Sequence, residues 1–291
     1  MTLSTDLHSS FHSSSSHINH FSNTPQGTHE LGFFNPGNPN KIYLGIWFKN
    51  IPFQNIVWVA NGGNPMNDSS AILKLDSSSN LVLTQNNMTI WSTKYAKEAQ
   101  NPVVQLLDSG NLVIRDQNGA NPLTYLWQSF DYPSNTMVAG MKIGWDLKRN
   151  FSIRFFAWKC DNDPTPGDLY WGVVLYPYPD ICMMKGTSKC LRVGPWNGLS
   201  FSGRPDMKLN PVYHYEFVSN KDEVYYRWTL KHFRNAFTRC LFYLQNLEKH
   251  QREMELDEPK RPGVFTKKDS VEASTSSSCS TNAMTISLPA R

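Results

Sequence analysis

The sequence predicts a mainly β fold, and three observations favour it. From Glu30 onward, short apolar runs of strand length, such as KIYLGIWF and NIVWVA, alternate with Gly, Pro, Asn, Asp and Ser, which is typical of a sandwich, barrel or prism. Nearly the same phrase occurs twice, as KLDSSSNLVLT and LLDSGNLVIRD. Aromatic residues make up 13% of the chain, which suits a core built from sheets. No helical period competes with this pattern before residue 150.

The N-terminal segment 1–28 is rich in Ser and His and has low complexity, so we expect it to be disordered. It lacks the charged start, apolar middle and cleavage site of a signal peptide. Its histidines are interpreted as part of a solvated tail rather than a metal site, because no Cys joins them. They are His8, His12, His17 and His20.

The bulk composition excludes several partner classes. A formal net charge of +4 with 18% charged residues, and no basic cluster interleaved with aromatics, gives no reason to expect nucleic acid. No apolar run approaches the ~20 residues that span a bilayer, so the sequence predicts no membrane span. It also indicates no metal site and no cofactor.

The repeated phrase predicts small sheets built from tight hairpins. Each copy reads as a strand, a turn of Asp, Ser or Gly, then Asn-Leu-Val and another strand. A Trp after an aliphatic residue follows each copy, at Trp91 and Trp127, and Ile46-Trp47 resembles the same feature of a third unit. One such sheet is too small to bury its own apolar face, but three around an axis can do so. We therefore expect Trp47, Trp91 and Trp127 to meet at a shared centre.

Cysteines and sequons bear on secretion. Five cysteines stand at 160, 182, 190, 240 and 279, without a C-x-x-C motif, which argues against a zinc or redox site. One disulfide among Cys160, Cys182 and Cys190 is expected if the chain is secreted, with the pairing left open. Three N-x-S/T sequons are candidates for N-glycosylation. Their asparagines are Asn67, Asn87 and Asn150.

Beyond the β texture, an apolar stripe at helical spacing predicts an amphipathic helix over 232–257. Pro259 and Pro262 end it, and the polar segment 258–291 is expected to be disordered. The stripe consists of Phe233, Ala236, Phe237, Cys240, Leu241, Leu244 and Leu247.

Several long phrases resemble the plant S-domain family, which comprises receptor-like serine/threonine kinases with a bulb-type (G-type) lectin domain and the S-locus glycoproteins. In the lectin part they are ELGFFNPGNPNKIYLGIWFKNIP, QNPVVQLLDSGNLVIRD and YLWQSFDYPSNTMVAGMKIGWDLK. RVGPWNGLSFSGRPDMK and YEFVSNKDEVYYRWTL resemble the S-locus glycoprotein region, and KRPGVF with TISLPAR resembles the receptor kinases' C-terminal tail.

The resemblance implies a domain organisation. A bulb-type lectin β-prism of three antiparallel sheets is expected at 29–150, with part of the S-locus glycoprotein region at 151–231. The helix at 232–257 and a receptor-type tail at 258–291 follow. In the family a strand or two precedes ELGFF, and here the Ser/His segment stands in that place. The prism is therefore expected to lack its first strands.

The family's mannose motif, Gln-x-Asp-x-Asn-x-Val-x-Tyr, places alternate side chains on one face of a strand. Laid on this chain, it leaves Asn80 with Val82 in the first copy and Asn111 with Val113 in the second. The Gln, Asp and Tyr positions hold other residues. Each lost hydrogen bond to a desolvated sugar hydroxyl costs about 1–3 kcal/mol. We expect these four residues to be a degraded sugar site, with both Asn serving turns and strand edges.

The resemblance implies a non-catalytic recognition module that binds a glycan or a protein or peptide ligand, related receptor ectodomains among them. The relatives act in pollen recognition, self-recognition or signalling at the cell surface. No kinase motif is found, neither a G-x-G-x-x-G loop nor V-A-I-K, H-R-D or D-F-G, so no enzyme activity is expected. The alternative is a degenerate or mis-spliced product of a receptor kinase gene. Family resemblance implies an extracellular location, with which the missing signal peptide disagrees.

Overall fold

The computed structural model describes residues 6–7, 19–49, 56–68, 70–94, 99–118, 125–203, 212–231 and 239–241. In this described part the chain forms antiparallel strands and a short 3-10 turn at Ser129–Asp131. The predicted mainly β fold class is confirmed. None of the helical structure in these ranges is long and apolar enough to cross a bilayer.

The first half of the described chain forms three small sheets. Its strands are β1 (Asp6–Leu7), β2 (Asn19–Asn23), β3 (His29–Phe34), β4 (Tyr43–Phe48), β5 (Ile56–Val59), β6 (Ile72–Leu75), β7 (Leu81–Gln85), β8 (Met88–Ser92), β9 (Pro102–Leu106), β10 (Leu112–Asp116) and β11 (Trp127–Gln128). Sheet 1 has the order β2-β3-β4-β5, sheet 2 has β1-β6-β7-β8, and sheet 3 has β11-β10-β9. The two copies of the repeated phrase form the β6–β7 and β9–β10 hairpins.

A tryptophan triad joins the three sheets. It consists of Trp58 on β5, Trp91 on β8 and Trp127 on β11, each on an edge strand. The three pairs of ring centroids are 5.7, 6.0 and 5.9 Å apart, and every pair meets edge to face. This is the arrangement that aromatic quadrupoles favour. Each sheet thus contributes one indole to a common centre.

The prediction that Trp47 belongs to this centre is wrong. Successive residues of a strand face opposite sides, and Ile46, which is paired with Trp58, belongs to the main core. Trp47 therefore points to the outer face of sheet 1, where it contacts Phe34 at 6.3 Å between ring centroids. Its Nε1 donates a hydrogen bond to Glu30 Oε2 at 3.0 Å.

Each sheet also repeats one hydrogen bond near its Trp. A polar side chain two or three residues after the Trp accepts the backbone N–H of a leucine on the neighbouring strand, so a buried donor is satisfied. The pairs are Asn61 with Leu44 at 2.8 Å, Thr93 with Leu81 at 3.2 Å, and Ser129 with Leu112 at 2.9 Å. The repetition in the sequence therefore builds the same local structure three times.

The turn of the second phrase requires a glycine. Gly110 has φ +84°, and a Cβ there would lie 2.8 Å from His29 Nε2. His29 is 4% exposed, and its ring packs on Phe48 with centroids 4.5 Å apart. The β9–β10 turn is thereby fitted against sheet 1.

The first strands of sheets 1 and 2 come from the N-terminal segment. β2 pairs with β3, with Asn23 opposite Glu30, and β1 pairs with β6, with Leu7 opposite Leu73. The expectation of a prism that lacks its first strands is therefore wrong, as is the expectation of disorder at 19–28. Pairing through backbone N–H and C=O groups covers an exposed sheet edge, and it does not require apolar side chains. Residues 8–18 lie outside the described ranges.

The second half adds two four-stranded sheets. Its strands are β12 (Thr136–Val138), β13 (Lys142–Asp146), β14 (Phe151–Ile153), β15 (Phe155–Cys160), β16 (Asp163–Val174), β17 (Asp180–Lys185), β18 (Ser188–Arg192), β19 (Tyr213–Ser219), β20 (Glu223–Leu230) and β21 (Arg239–Leu241). One sheet has the order β14-β13-β20-β19 and the other β15-β16-β17-β18, while β12 pairs with β21.

The predicted helix over 232–257 is wrong at its three described residues. Arg239–Leu241 form β21, with Cys240 opposite Met137 of β12. β12 has no other strand neighbour in the described chain, and this pairing satisfies its backbone groups. The other residues of that helix, and the segment 258–291, lie outside the described residues.

The β15–β16 hairpin covers the outer face of sheet 1. Trp158 of β15 packs against the cluster that contains Phe34, Tyr43 and Trp47, all at most 3% exposed. Burial, reinforced by the charge of Asp163, raises the pKa of Tyr43 to about 12. The outer face of one prism sheet is thus an internal contact between the two halves.

We expect the triad to be detectable by circular dichroism. Trp58→Phe should remove most of the exciton signal of the coupled indoles, whereas Trp47→Phe should leave it in place. Trp58→Ala should lower the free energy of unfolding by about 3–5 kcal/mol in urea titrations. An exciton signal that survives in Trp58→Phe and disappears in Trp47→Phe would contradict the assignment.

Acid should weaken the fold through His29. Burial lowers its pKa from 6.5 to about 4, although the backbone and charge of Asp108 act in the opposite direction. The unfolded chain therefore binds the proton more readily between pH 6.5 and 4, and stability falls as the pH falls through this window. The loss reaches about 3 kcal/mol at most.

The measurement is the urea midpoint at pH 7 and at pH 4.5. We expect His29→Gln to flatten this pH dependence, while His214→Gln, at an exposed position, leaves it unchanged. Equal slopes in His29→Gln and the unaltered protein would rule out this origin.

Candidate functional site

The first pair of predicted sugar-site residues lies on sheet 2. The Asn80 amide Oδ1 accepts a hydrogen bond from Thr93 Oγ1 at 3.0 Å, and its Nδ2 lies 3.5 Å from the Ser78 carbonyl. Val82 on β7 is 8% exposed and stands between Lys74 and Ser92 of the neighbouring strands. The amide thus bonds to the turn and edge strand of its own sheet.

The second pair is buried in sheet 3. Asn111 is 5% exposed; its Nδ2 donates to Gln128 Oε1 at 2.9 Å, and its Oδ1 accepts bonds from Ser129 Oγ and the Phe130 N–H at 3.2 Å each. Val113 is 0% exposed, with Gln128 opposite it on the neighbouring strand. Both ends of the amide are occupied inside the protein.

A different surface is concave and rich in aromatic side chains, and we call it the aromatic groove. It is an open groove of about 560 Å³ beside sheet 3, which places it within the usual ~300–1,000 Å³ of ligand pockets. It is lined by Asp131, Tyr132, Pro133, Trp145, Asn150, Phe151, Ser152, Arg154 and Phe156. A second hollow of about 270 Å³ shares Trp145 and Arg154 with it and extends to Tyr170 and Tyr176.

The lining follows the alternation of β14 and β15. Ile153 and Phe155 point into the core and are at most 5% exposed. The residues that alternate with them, Ser152, Arg154 and Phe156, face the groove. The segment 152–156 therefore contributes side chains to the core on one side and lines the groove on the other.

Asp131 is the partly buried carboxylate of the groove. Its Oδ1 accepts a hydrogen bond from Gln128 Nε2 at 2.9 Å, and its Oδ2 lies 3.6 Å from the Arg149 guanidinium. Burial raises the pKa of this carboxyl above its ordinary value, and the charge of Arg149 offsets part of the effect. Gln128 Oε1 also accepts a hydrogen bond from the Asn111 side-chain amide. A chain of hydrogen bonds therefore connects Asn111 of the mannose motif to Asp131 in the groove.

Two arginines border the groove in fixed orientations. Arg149 donates from Nε to Asp146 Oδ2 at 2.6 Å and lies 5.3 Å from the Phe151 ring centroid. Arg154 lies 5.8 Å from the Trp145 ring and 5.0 Å from the Tyr170 ring, a geometry that favours cation–π attraction. Its Nε donates to Ser152 Oγ at 2.9 Å.

Exposed aromatic rings supply the apolar surface. Tyr132 is 49% exposed and stacks on Trp127 with centroids 5.8 Å apart and an 11° interplanar angle. Its backbone carbonyl accepts a bond from Trp58 Nε1 at 2.8 Å. The triad therefore fixes the position of the Tyr132 ring, and Tyr176, 82% exposed, marks the far end of the surface.

A disulfide among Cys160, Cys182 and Cys190 stays a prediction, and no bond links these three residues in the described structure. Cys182 is 0% exposed on β17, whereas Cys190 is exposed in a bulge of β18 between the pairs Met183–Leu191 and Met184–Lys189. Cys160 ends β15 and contacts Asn162. The side chains of Cys182 and Cys190 thus occupy different environments, one buried and one in solvent.

The three predicted glycosylation asparagines are exposed. Asn67 and Asn87 lie in the loops that flank sheet 2, and Asn150 lies at the rim of the aromatic groove. Of the predicted site residues, Asn150 alone lines the groove. In the described ranges no cluster of His, Cys, Asp and Glu is arranged to hold a metal ion.

Comparison with known proteins gives two family matches. The profile of the D-mannose binding lectin family matches residues 55–159, and that of the S-locus glycoprotein domain matches residues 191–280. A solved structure of monomeric monocot mannose-binding lectins from Gastrodia elata is 23% identical, covers 34% of this chain and 77% of its own, and has a TM-score of 0.26.

Curated plant relatives match most of the chain. The receptor-like serine/threonine-protein kinase SD1-8 of Arabidopsis thaliana is 39% identical over 209 residues, 71% of this chain and 25% of the relative. The S-locus-specific glycoprotein S6 of Brassica oleracea is 37% identical over 210 residues, 71% of this chain and 48% of the relative. The chain spans about a quarter of the kinase and about half of the glycoprotein.

Along the chain the lectin match precedes the S-locus glycoprotein match. The chain belongs to the plant S-domain family of G-type lectin receptor-like kinases and S-locus glycoproteins.

Proposed function

We propose that this chain is a non-catalytic recognition module and that the aromatic groove binds carbohydrate. The observation that carries the proposal is the combination of an exposed Tyr132 ring with the partly buried Asp131 carboxylate in one groove of about 560 Å³. Carbohydrates present apolar C–H faces and rings of hydroxyls. A site for them combines aromatic faces with fixed polar groups.

The polar groups of the groove match sugar hydroxyls. Asp131 offers carboxyl oxygens as acceptors, and Arg154 is a planar donor held by Ser152 and by two aromatic rings. Because their own contacts hold these side chains in place, little conformational entropy is lost when a ligand binds. The degraded motif on β7 and β10 is not part of this proposal, since its amides bond within the protein.

The number of carboxylates in the groove also favours binding over catalysis. Glycoside hydrolysis uses two carboxyl groups on either side of the scissile bond. The described lining of the groove contains one carboxylate, Asp131. The nearby Asp146 is outside that lining and is bonded to Arg149.

The wider role follows from the relatives' names, which include a receptor-like kinase and an S-locus-specific glycoprotein. We propose perception at the cell surface, in pollen or self-recognition or in related signalling. A protein or peptide ligand, including a related receptor ectodomain, is the other partner class that such a module serves.

Groove variants test the proposal. The full chain, produced in bacteria so that no sequon is glycosylated, is screened on an array of plant oligosaccharides, and the affinity of a hit is measured by calorimetry. Asp131→Asn, which keeps the shape but removes the charge, should weaken binding about 10- to 100-fold. Tyr132→Ala should weaken it about 10-fold through lost stacking.

Tyr178→Ala is the matched control, because this tyrosine is 77% exposed and lies outside the groove lining. It should bind as the unaltered chain does. A glycan whose affinity is the same in all four proteins, or an array without any hit, would refute carbohydrate binding in the groove.

Asn111→Ala should act on stability. Removing the amide leaves Ser129 and the Phe130 N–H without their acceptor in a buried place, so the free energy of unfolding should fall by about 1–3 kcal/mol. Asn118→Ala, at an exposed position, should change it by less than about 0.5 kcal/mol. A mannose affinity that Asn111→Ala abolishes without loss of stability would show that the motif still binds sugar.

A further inference from the structure

One sequon stands at the aromatic groove. Asn150 is exposed, lines the groove and ends the turn before β14, while its sequon partner Ser152 lines the groove as well. The backbone of Asn150 has φ +50°, a conformation that Asn tolerates better than most residues. A sugar attached to Asn150 Nδ2 would start at the mouth of the groove.

The surface beside Asn150 suits the inner sugars of an N-glycan. Phe151 follows it directly, and the Tyr132 ring lies 5.5 Å from the Phe151 ring. N-acetylglucosamine offers a C–H face for such rings and amide and hydroxyl groups for Asp131 and Arg154. Because the glycan is tethered, its effective concentration at the groove lies in the millimolar range or above.

We propose that Asn150 is N-glycosylated and that the attached glycan occupies the aromatic groove, closing it to free ligand. This inference rests on the proposed function, since it assigns a regulator to the same groove. The unglycosylated chain has the open groove and the glycosylated chain has the closed one. A modification made during biosynthesis thereby determines whether the groove is open to free ligand.

The chemistry is a glycosyl transfer from a lipid-linked oligosaccharide diphosphate. The Asn150 Nδ2–C1 bond forms while the bond from C1 to the diphosphate oxygen breaks. The lipid diphosphate leaves with the electron pair of that bond, and the amide proton passes to a base of the transferase. No atom is oxidised or reduced.

The other two sequons are internal controls. Asn67 and Asn87 are exposed near sheet 2 and are absent from the groove lining. A glycan at either place should leave the groove unchanged. Any effect of a glycan on solubility or folding in general would instead be shared by all three sequons.

The experiment uses the full chain, directed through the secretory pathway of plant cells by a fused leader peptide. Peptide mass spectrometry measures the occupancy of Asn150, and oxidative footprinting measures the reactivity of Tyr132 and Trp145. Ser152→Ala and Asn150→Asp remove the sequon in two ways, and Ser152→Thr retains it. Thr89→Ala removes only the sequon at Asn87.

We expect Asn150 to be occupied, and the footprint of Tyr132 to rise at least 5-fold in Ser152→Ala and Asn150→Asp but not in Ser152→Thr or Thr89→Ala. Any glycan bound by the bacterial protein should bind Asn150→Asp at least 10-fold more tightly than the glycosylated chain. An unoccupied Asn150, or an occupied one whose removal leaves the footprint unchanged, overturns the inference. A footprint that rises while no free glycan binds any form supports the tethered glycan and refutes the proposed function.

Discussion

The contact of Trp58, Trp91 and Trp127 is the constraint on which the rest of the structure depends. Each of the three sheets is too small to bury its own apolar face, and the three indoles close the space between the sheets edge to face. The leucine N–H bonds to Asn61, Thr93 and Ser129 fix each edge strand beside its indole. Packing and hydrogen bonding therefore specify the same arrangement.

The same contact sets the geometry of the groove. The Tyr132 ring stacks on Trp127, and the Tyr132 backbone carbonyl accepts a hydrogen bond from Trp58. The triad therefore holds the ring in position. Asp131 is tied to the third sheet through Gln128. A groove supported in this way has its aromatic and polar groups placed before a ligand arrives, which is a property that favours selective binding.

The strands and the repeated hairpins could be predicted from the sequence because alternation and turn residues are local signals. The choice between Trp47 and Trp58 could not be made from an aliphatic residue before the Trp, since Ile46-Trp47 and Val57-Trp58 both have one. A polar residue three positions later does not distinguish them either, since Asn50 follows Trp47 as Asn61 follows Trp58. β2 could not be predicted, because its NHFSN sequence pairs through backbone groups and carries no alternation. The groove and the second hollow beside it join residues near 131, 150 and 170, which only the tertiary fold brings together.

The covering of sheet 1 by the β15–β16 hairpin has a consequence for how the molecule comes apart. Phe34, Tyr43 and Trp47 are sealed by Trp158 and its neighbours, and Gly62 approaches the Pro164 carbonyl so closely that a Cβ there would lie 2.7 Å from that oxygen. Removing the β15–β16 hairpin would expose these aromatic side chains and leave them prone to self-association. We therefore expect sheet 1 and the β15–β16 hairpin to unfold together.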